Sequence, residues 1–509
     1  MIRDVRHACR LLLIAHTLAR HDALFPLERL GVAAPITALT RWVSRRREPG
    51  RPGQRLARAL QESGPSFIKM GQALSSRPDL IGEDVAADLS DLQDRVAPFP
   101  GAEARATIEA ELEAPISSLF RSFDDQPVAA ASIAQVHHAV DTEGREVAVK
   151  VLRPGVEEAF TRDLDLFFWM AELIEMARPD LRRLRPMDSI RTIAETVEME
   201  MDLRFEAAAA VELAENLADD PGFRIPRVDW GRTGSRVLTT EWLPGIPIDD
   251  RHALISAGHD PEALLAKAAE VFFLQVFRDG YFHADLHAGN LSVRPDGSIV
   301  AVDFGIMGRI DRKTRLHLAE LLLAFLSRDY RRAAEVHFAA GWVPAHRSVD
   351  AFTQACRSIA EPIMDKPQNE ISIAKLLGHL FQVTKTFDME TQPNLLLLQR
   401  TMLVAEGTGR SLCPDANMWL LARPLMEHWM REKFSPEAKL REVAADVRNR
   451  LARAPELLGK LEAGASALAD GAVRLHPDTI RAIRRDDRRQ SMILIWATVI
   501  VVLALIVLA

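Results

Sequence analysis

Apolar residues recur every three or four positions along most of the chain, and this spacing predicts many helices. Residues 146–150 instead alternate strictly between polar and apolar, which predicts a strand that carries Lys150. Residues 236–245 indicate another strand that leads into a hinge. The later helices predict a large C-terminal lobe. The main predicted helices are 103–119, 156–176, 190–217, 261–277, 312–325, 330–340, 371–383, 394–408 and 420–431, with one or two more within 437–468.

The two ends of the chain carry different apolar patterns. Ala8, Leu11, Ala15 and Leu18 recur at helical spacing among scattered charges, which predicts an amphipathic helix, either docked on the protein or lying at a membrane surface. Residues 492–509 contain no charge, and as a helix they would span roughly 27 Å, enough to cross a bilayer core. Arginines precede this segment, so we expect the body of the protein to be cytoplasmic.

Composition limits the classes of protein that fit. A chain of 509 residues is too long for one typical globular domain, and 48% hydrophobic residues allow large buried cores. A formal net charge of −7 gives no sign of a nucleic-acid-binding protein. Cys9, Cys356 and Cys413 lie far apart without a Cys-x-x-Cys pair, so we expect reduced thiols in a cytosolic setting rather than a disulfide framework or a zinc site.

One stretch has the pattern of a phosphoryl-transfer loop, namely residues 283–290 followed by Asp303. In kinase-type chemistry Asp285 would meet the attacking hydroxyl or water, and Asn290 and Asp303 would hold Mg²⁺ on the phosphates. Oxygen ligands suit Mg²⁺, and ATP supplies the remaining ones. Two histidines four positions apart could bind zinc on a helix, but Gly289 breaks a helix there and no glutamate follows the first histidine. An ordinary loop and hairpin is the other alternative.

A strand, a tight loop, a strand and then a lysine indicate the nucleotide-clamping half of a kinase-like fold. Residues 141–144 predict the hairpin turn before the Lys150 strand. Small residues replace the glycines expected in the loop, so the backbone can still approach phosphates, although Ala resists the positive φ values that Gly adopts. The residues expected around the nucleotide are Val128, Ala129, Ala130, Ala131, Ser132, Ile133, Ala134, Gln135, Val136 and Lys150.

The predicted helix 190–217 offers carboxylate partners for the strand lysine. Glu198, Asp202 and Glu206 are four positions apart and should share one helical face, while Glu200 points elsewhere. A carboxylate from this helix should hold the lysine on the α- and β-phosphates. An isolated acidic face is also typical of a solvated surface.

Lys69 and Gln72 lie three apart on one face of a helix predicted to begin near Gly64, and as a pair they are typical of a surface. Together with the other motifs they resemble the UbiB family, atypical protein-kinase-like membrane proteins of ubiquinone biosynthesis. The resemblance extends from about residue 60 to about residue 415. Ala288 and Ala209 depart from the family's more usual Pro and Asn, but neither change removes a proposed ligand. The matching motifs are residues 69–72, 76–79, 92–94, 129–136, 200–202 with 206, 283–290 and 303–305.

The resemblance implies an α+β, two-lobed protein-kinase-like fold with an N-terminal helical extension, an enlarged helical C-lobe and a C-terminal transmembrane helix. It implies binding of ATP and Mg²⁺, with the Lys-x-Gly-Gln helix folded over the site where a protein kinase accepts a peptide. Lys69 should then pair with a carboxylate such as Glu200 or Asp303. The residues implied in catalytic roles are Asp285, Lys150, Glu206, Lys69, Gln72 and Glu200, and those implied in metal binding are Asn290 and Asp303.

By the same resemblance, slow ATP hydrolysis coupled to the handling and ring hydroxylation of polyprenyl-phenol intermediates is favoured over phosphorylation of proteins. The expected partners are ATP, these lipids, the cytoplasmic (inner) membrane and other ubiquinone-biosynthesis proteins, with no nucleic acid. Taken together, the sequence patterns and the resemblance predict an amphipathic segment (1–50), a helical extension (51–120), an N-lobe (121–245), a helical C-lobe (246–430), a juxtamembrane region (431–490) and a single-pass anchor (492–509).

Two other classes of function stay open. A small-molecule phosphotransferase of the aminoglycoside or choline type also uses His-x-Asp-x-x-x-x-Asn, but such enzymes lack the Lys-x-Gly-Gln helix ahead of the nucleotide lobe. A non-enzymatic scaffold that binds nucleotide or lipid and organises a membrane complex would keep the same ligands without turnover. Metal-dependent ATP hydrolysis by the purified protein separates these classes.

Overall fold

A five-stranded antiparallel sheet carries the first half of the candidate site. The computed structural model describes residues 2–25, 49–75, 81–90, 97–177, 186–220, 222–362, 382–384, 386–389, 393–413 and 424. The strands run in the order β1-β3-β4-β6, with β2 paired to β3, so the predicted strand around Lys150 is confirmed. The strands are β1 (Phe120–Phe123), β2 (Ala129–Ala130), β3 (Ala134–Asp141), β4 (Glu146–Leu152) and β6 (Val237–Glu241).

The two faces of this sheet pack against different helices because side chains alternate along a strand. Val149 of β4 lies in a core beneath helix α5 (Gly101–Leu112). Leu152 lies in a second core with residues of helix α9 (Leu203–Asn216). Lys150 has the same parity as Leu152, so the strand directs its side chain towards α9.

The prediction of one helix over residues 103–119 was wrong in its middle. The segment forms α5 and then a short helix α6 (Ile116–Leu119). Glu113 adopts a left-handed conformation with φ of 51°, and Ala114 next to it precedes Pro115. Pro disfavours helical backbone in the residue before it, which accounts for the break.

The predicted continuous helix 190–217 was also wrong. It is divided into α8 (Pro186–Glu200) and α9. Asp202 lies outside both helices in an extended conformation and caps α9, since its side chain accepts from the backbone N–H of Arg204 at 3.1 Å. Asp202 therefore does not share a helical face with Glu206, and the proposed stack of three carboxylates does not form.

The N-terminal part of the chain forms a helical group with its own core. Ala15, Leu18, Ile68 and Phe167 are among its buried residues, and Phe67 and Phe167 meet edge to face with their ring centroids 5.1 Å apart. The helices that contribute are α1 (Ile2–Arg20), α2 (Pro52–Ser63), α3 (Pro65–Ser75), α4 (Glu83–Ser90) and α7 (Val156–Ala177).

Ion pairs add to the apolar contacts of α1. Arg10 Nη2 lies 3.0 Å from Asp163 Oδ1 of α7, and Arg20 Nη1 lies 2.6 Å from Glu62 Oε1 of α2. These contacts join α1 to both neighbouring helices. The docked alternative for the first helix is therefore confirmed.

Two small sheets bring together the two loops that carry the proposed metal ligands, residues 284–290 and the loop that contains Asp303. β8 is antiparallel to β11, and the other sheet has the order β5-β10-β9-β7. The stretch from 284 to 290 joins β8 to β9 and contains a 3₁₀ turn, Ala288–Asn290, while Asp303 follows β10. The strands are β5 (Phe223–Arg224), β7 (Ile246–Pro247), β8 (Tyr281–His283), β9 (Leu291–Val293), β10 (Ile299–Ala301) and β11 (Met307–Arg309).

Helices surround these sheets and continue beyond them. A second 3₁₀ turn spans Trp230–Arg232, and a π-helical turn, Leu274–Asp279, follows α11 and ends at Gly280, whose φ is 68°. The helices are α10 (Arg251–Ser256), α11 (Pro261–Phe273), α12 (Arg312–Leu326), α13 (Tyr330–Ala339), α14 (Val349–Ala360) and α15 (Pro393–Leu412).

Several predictions fall on residues that the structure does not describe. Most of the predicted helices 420–431 and 371–383, the helical region 437–468, the transmembrane segment 492–509 and the motif residues 76–79 and 92–94 lie outside the described residues. Among the helices that are described, none is both long enough and apolar enough to span a bilayer. The segment boundaries given above stay a prediction.

Candidate active site

Lys150 contacts two carboxylates that come from distant parts of the chain. Its Nζ lies 2.7 Å from Oε1 and 2.9 Å from Oε2 of Glu206 on α9. Asp303 Oδ1 lies 3.2 Å from the same nitrogen. The Lys150 and Glu206 side chains are 16% and 8% exposed, whereas that of Asp303 is 46% exposed. The cluster is therefore a buried ion pair with a third charged group that solvent or a ligand can reach.

The charges in this cluster set each other's ionisation. Burial would lower the pKa of Lys150, but Asp303 and Glu206 together raise it above the ordinary lysine value. Burial would raise the pKa of Asp303, but Lys150 and then Lys69 hold it well below its usual range. Burial raises the pKa of Glu206 against the opposing effect of Lys150. The ammonium of Lys150 and the carboxylate of Asp303 are therefore charged at neutral pH.

Lys69 of α3 lies beside the same cluster. Its Nζ is 3.0 Å from Oε2 of Glu200, the last residue of α8, and the two side chains are only 13% and 8% exposed. The pair anticipated from the sequence is thus present in the geometry. Gln72, three residues further along α3, is half-buried. Because the charge of Lys69 also lowers the pKa of Asp303, α3 is electrostatically connected to the loop after β10.

The Ala-rich loop is a tight hairpin. β2 pairs with the first residues of β3, and the backbone N–H of Ala131 donates to the carbonyl of Ala134 at 2.8 Å. None of the residues 128–136 has a positive φ, so alanine fits this turn without strain. Ser132 is fully buried within the turn, and Arg153 donates to the Ala131 carbonyl at 3.3 Å. The hairpin is therefore stabilised both by the pairing of β2 with β3 and by the hydrogen bond from Arg153.

Gln135, one of the residues expected around the nucleotide, has its side chain committed elsewhere. Its Oε1 accepts from the backbone N–H of Phe99 at 3.0 Å, and its Nε2 donates to the Phe99 carbonyl at 3.2 Å. The Gln135 Nε2 also lies 2.8 Å from Nε2 of His137. The amide therefore fastens residues 97–99 to the sheet, on the face opposite to Lys150.

The segment between β8 and β9 presents Asp285 and Asn290. Asp285 is half-buried, and its backbone N–H donates to Nδ1 of His283 at 3.1 Å. Burial lowers the pKa of His283, in keeping with a neutral ring that accepts this bond. Asn290 Nδ2 donates to the Asp285 carbonyl at 3.0 Å, so these two predicted residues are brought together.

Gln275 and Phe304 support this segment. Sequence reasoning missed Gln275 and gave Phe304 no role beyond its place in the motif 303–305. Gln275 is fully buried in the π-helical turn, and its Oε1 accepts from the backbone N–H of His283 at 2.9 Å. Phe304 packs on the His283 ring with the centroids 5.5 Å apart, and its backbone N–H donates to Glu206 Oε1 at 3.3 Å. A single amide within the apolar run 271–277 was the available signal for Gln275.

Asp303 has an unusual backbone. Its φ of 64° is in the left-handed region, where residues other than glycine carry a cost of about 1–3 kcal/mol. Aspartate tolerates this region better than most residues, and the N–H of Gly305 donates to its Oδ1 at 3.3 Å. Such outliers concentrate at functional sites, which makes this loop a candidate for ligand binding.

The oxygen donors near Asp303 fit Mg²⁺. Because the amide nitrogen of Asn290 donates to the Asp285 carbonyl, its amide oxygen is the atom suited to a metal. One carboxylate and one amide oxygen match the preference of Mg²⁺ for oxygen ligands. Within the described part of the chain, no cluster of three or more His, Cys, Asp or Glu could hold a metal alone, so nucleotide phosphates would have to complete the shell.

Two family models and several relatives match this chain. Residues 91–337 match the ABC1 atypical kinase-like domain, and residues 356–417 match the UbiB helical domain. Two relatives named "Probable protein kinase UbiB" are each 44% identical. The one from Marinobacter nauticus aligns over 80% of this chain and 75% of its own length, and the one from Azotobacter vinelandii over 79% and 75%. The solved complex of Rv3197 with erythromycin, from Mycobacterium tuberculosis, is 28% identical over 72% of this chain and 93% of its own, with a TM-score of 0.49.

Proposed function

This chain belongs to the UbiB family of ABC1 atypical kinase-like proteins, and from that premise we propose that it binds ATP with Mg²⁺ and hydrolyses ATP in support of ubiquinone biosynthesis. The observation that carries the proposal is the position of Lys150 Nζ, 2.7 Å from Glu206 and 3.2 Å from Asp303. In kinase-type sites a lysine held by a helix carboxylate binds the α- and β-phosphates, next to a metal-binding aspartate.

Each residue of the cluster has one task in this proposal. Glu206 holds Lys150, whose ammonium donates to the phosphates. Asn290 and Asp303 hold Mg²⁺, which neutralises phosphate charge when it is bound. Asp285 orients the attacking water and accepts its proton, and the Ala-rich hairpin covers the phosphates through its backbone.

The acceptor in this proposal is water or a small molecule rather than a protein. The support is the buried pair of Lys69 and Glu200, together with the effect of Lys69 on Asp303. A peptide would have to displace α3 and leave Glu200 as an unpaired buried charge, which is costly. In this proposal Lys69 and Gln72 on α3 exclude a peptide from the site, and the ion pair with Glu200 keeps α3 in that position.

Hydrolysis in this proposal drives the handling of polyprenyl-phenol intermediates and supports their ring hydroxylation at the cytoplasmic membrane, in contact with other proteins of the pathway. The support is the UbiB name of the relatives and the charge-free residues 492–509. Removing 492–509 should release the protein from the membrane fraction and leave nucleotide binding intact. If the shortened protein remains in membranes after a high-salt wash, the main anchor lies in another segment of the chain.

The test is ATP hydrolysis by the purified full chain in vesicles with and without a polyprenyl-phenol. We expect slow, Mg²⁺-dependent phosphate release that increases with the phenol and is abolished by Asp285→Asn. Asp350→Asn is the matched control, because Asp350 is 83% exposed and pairs with Arg331 on the surface. Wild-type protein that binds nucleotide but releases no phosphate under either condition would favour the scaffold alternative.

A further inference from the structure

Three consecutive backbone carbonyls around Asp285 each accept a hydrogen bond from a side chain. Thr401 Oγ1 donates to the carbonyl of Ala284 at 3.1 Å, and Thr408 Oγ1 donates to that of Leu286 at 3.3 Å. The carbonyl between them, that of Asp285, accepts from Asn290. The backbone on both sides of the proposed catalytic carboxylate is therefore fastened by hydroxyl groups from elsewhere in the chain.

Both threonines belong to α15, more than 100 positions further along the chain. They are seven residues apart, which is about two helical turns, so both hydroxyls leave the same face of the helix. The Thr401 side chain is fully buried, and that of Thr408 is half-buried. This face of α15 therefore contacts residues 284 and 286, on either side of Asp285, and residues 284–286 are called the catalytic segment below.

The two hydroxyls also contact their own helix. Thr401 Oγ1 lies 2.9 Å from the Leu397 carbonyl, and Thr408 Oγ1 lies 3.3 Å from the Val404 carbonyl. A hydroxyl carries one hydrogen, so the two acceptors of each threonine share it. The bond to the own helix is available to any helical threonine, whereas the bond to the catalytic segment needs this particular helix position.

We propose that Thr401 and Thr408 are positioning residues that fix the backbone of residues 284–286 and thereby the direction of the Asp285 carboxylate. The role of Asp285 in this inference rests on the proposed function. Through these two hydrogen bonds, the position of α15 determines the geometry of Asp285 and thereby the activity. A shift of α15 would release both carbonyls together, and small displacements of a catalytic group lower rates strongly.

Isosteric substitutions separate this role from packing alone. Thr→Val keeps the volume and the branched shape and removes the hydroxyl, whereas Thr→Ser keeps the hydroxyl and removes a methyl group. Thr353→Val is the matched control, because Thr353 Oγ1 of α14 donates to the Val349 carbonyl of its own helix at 2.8 Å and has no acceptor in another element among the residues that the structure describes. A loss seen with Val at 401 and 408, absent with Ser and absent at 353, identifies the bonds to the catalytic segment.

The experiment measures amide hydrogen exchange of residues 283–291 and steady-state ATP hydrolysis in the full chain. Losing a neutral hydrogen bond costs about 1 kcal/mol, so exchange in this segment should rise about fivefold for each Val variant, with little change elsewhere. The Thr401→Val/Thr408→Val protein should lose on the order of tenfold in kcat, with KM for ATP within about twofold. Serine at both positions should restore both readouts.

Two outcomes overturn the proposal. One is unchanged exchange and kcat in the double Val variant of a hydrolysing protein. The other is an equal loss with serine, which would assign the effect to packing of the methyl groups. If the wild type hydrolyses no ATP, the proposed function fails, while the exchange measurement still decides whether the two hydroxyls hold the segment.

Discussion

Replacing Glu206 with glutamine tests whether Lys150 is shared between two carboxylates. Removing one partner of a buried ion pair costs about 3–5 kcal/mol of folding free energy. Here the introduced glutamine side chain would keep an acceptor oxygen, and Asp303 already lies 3.2 Å from Lys150 Nζ, so we expect a smaller cost of about 1–3 kcal/mol. Lys150→Met should cost more, about 3–5 kcal/mol, because it leaves two neighbouring carboxylates without their cation.

Glu206→Gln should also weaken the binding of Mg²⁺ at Asp303. Among the described residues, Asp303 is the close anionic partner that remains for the ammonium without the Glu206 carboxylate, and the ammonium then competes with Mg²⁺ for the carboxylate of Asp303. If the ammonium of Lys150 binds the Asp303 carboxylate more strongly by about 1.4 kcal/mol, the Mg²⁺ concentration needed for half-maximal nucleotide binding rises roughly tenfold. Lys150 therefore changes from a phosphate ligand into an inhibitor of the metal site.

Urea unfolding without nucleotide measures the first effect, and calorimetric titration of an ATP analogue at several Mg²⁺ concentrations measures the second. Glu212→Gln is the control on the same helix, because its partner Arg309 is 67% exposed and exposed pairs contribute about 0–1 kcal/mol. If Glu206→Gln matches the wild type in both assays, the hypothesis that Glu206 and Asp303 share the Lys150 ammonium is refuted. If it destabilises as strongly as Lys150→Met, Asp303 does not act as the second partner.

Three other outcomes are expected. Asp303→Asn should abolish the Mg²⁺-dependent part of nucleotide stabilisation in a thermal-shift assay, and an unchanged shift would remove Asp303 from the metal site. Lys69→Ala should raise autophosphorylation and lower cellular quinone, since it removes the restraint at Glu200, and wild-type values of both would end that account. Burial lowers the pKa of His337, so the unfolded chain binds a proton more readily, and stability should fall as the pH drops below about 6.5. His337→Phe should reduce this pH dependence of the urea midpoint, and an equal slope in both proteins would contradict it.

Local patterns were enough to locate the main parts of the site. The alternation in 146–150 predicted the strand of Lys150, and the spacing of Asp285, Asn290 and Asp303 predicted two loops that the structure places side by side. These features depend on turn residues and on a period of two, which the sequence displays directly. The resemblance to the UbiB family, drawn from the same motifs, is confirmed by relatives that are 44% identical.

The break between α8 and α9 was not predicted, because the apolar period runs through it. Asp202 stabilises the break by capping α9, a preference that competes with its place in a continuous helix. The choice of Glu206 over Glu198 as the partner of Lys150 follows from this break. Periodicity alone could not decide it, since both residues lay on the expected face.

The contact between α15 and residues 284–286 was beyond the reach of sequence patterns. Thr401 and Ala284 are 117 positions apart. Threonine within a helix usually bonds its own backbone, so nothing at 401 or 408 signals a second acceptor. Such contacts become visible only when the fold has placed α15 against residues 284–286.

The quinone content of cells shows whether Asp285 acts catalytically in quinone production. The chromosomal copy is replaced by a gene for Asp285→Asn, with Asp350→Asn as the matched control, at equal protein levels. We expect quinone to fall to the level of a deletion strain with Asp285→Asn and to stay normal with Asp350→Asn. Normal quinone with Asp285→Asn would contradict a catalytic role and leave the protein as a nucleotide-binding scaffold.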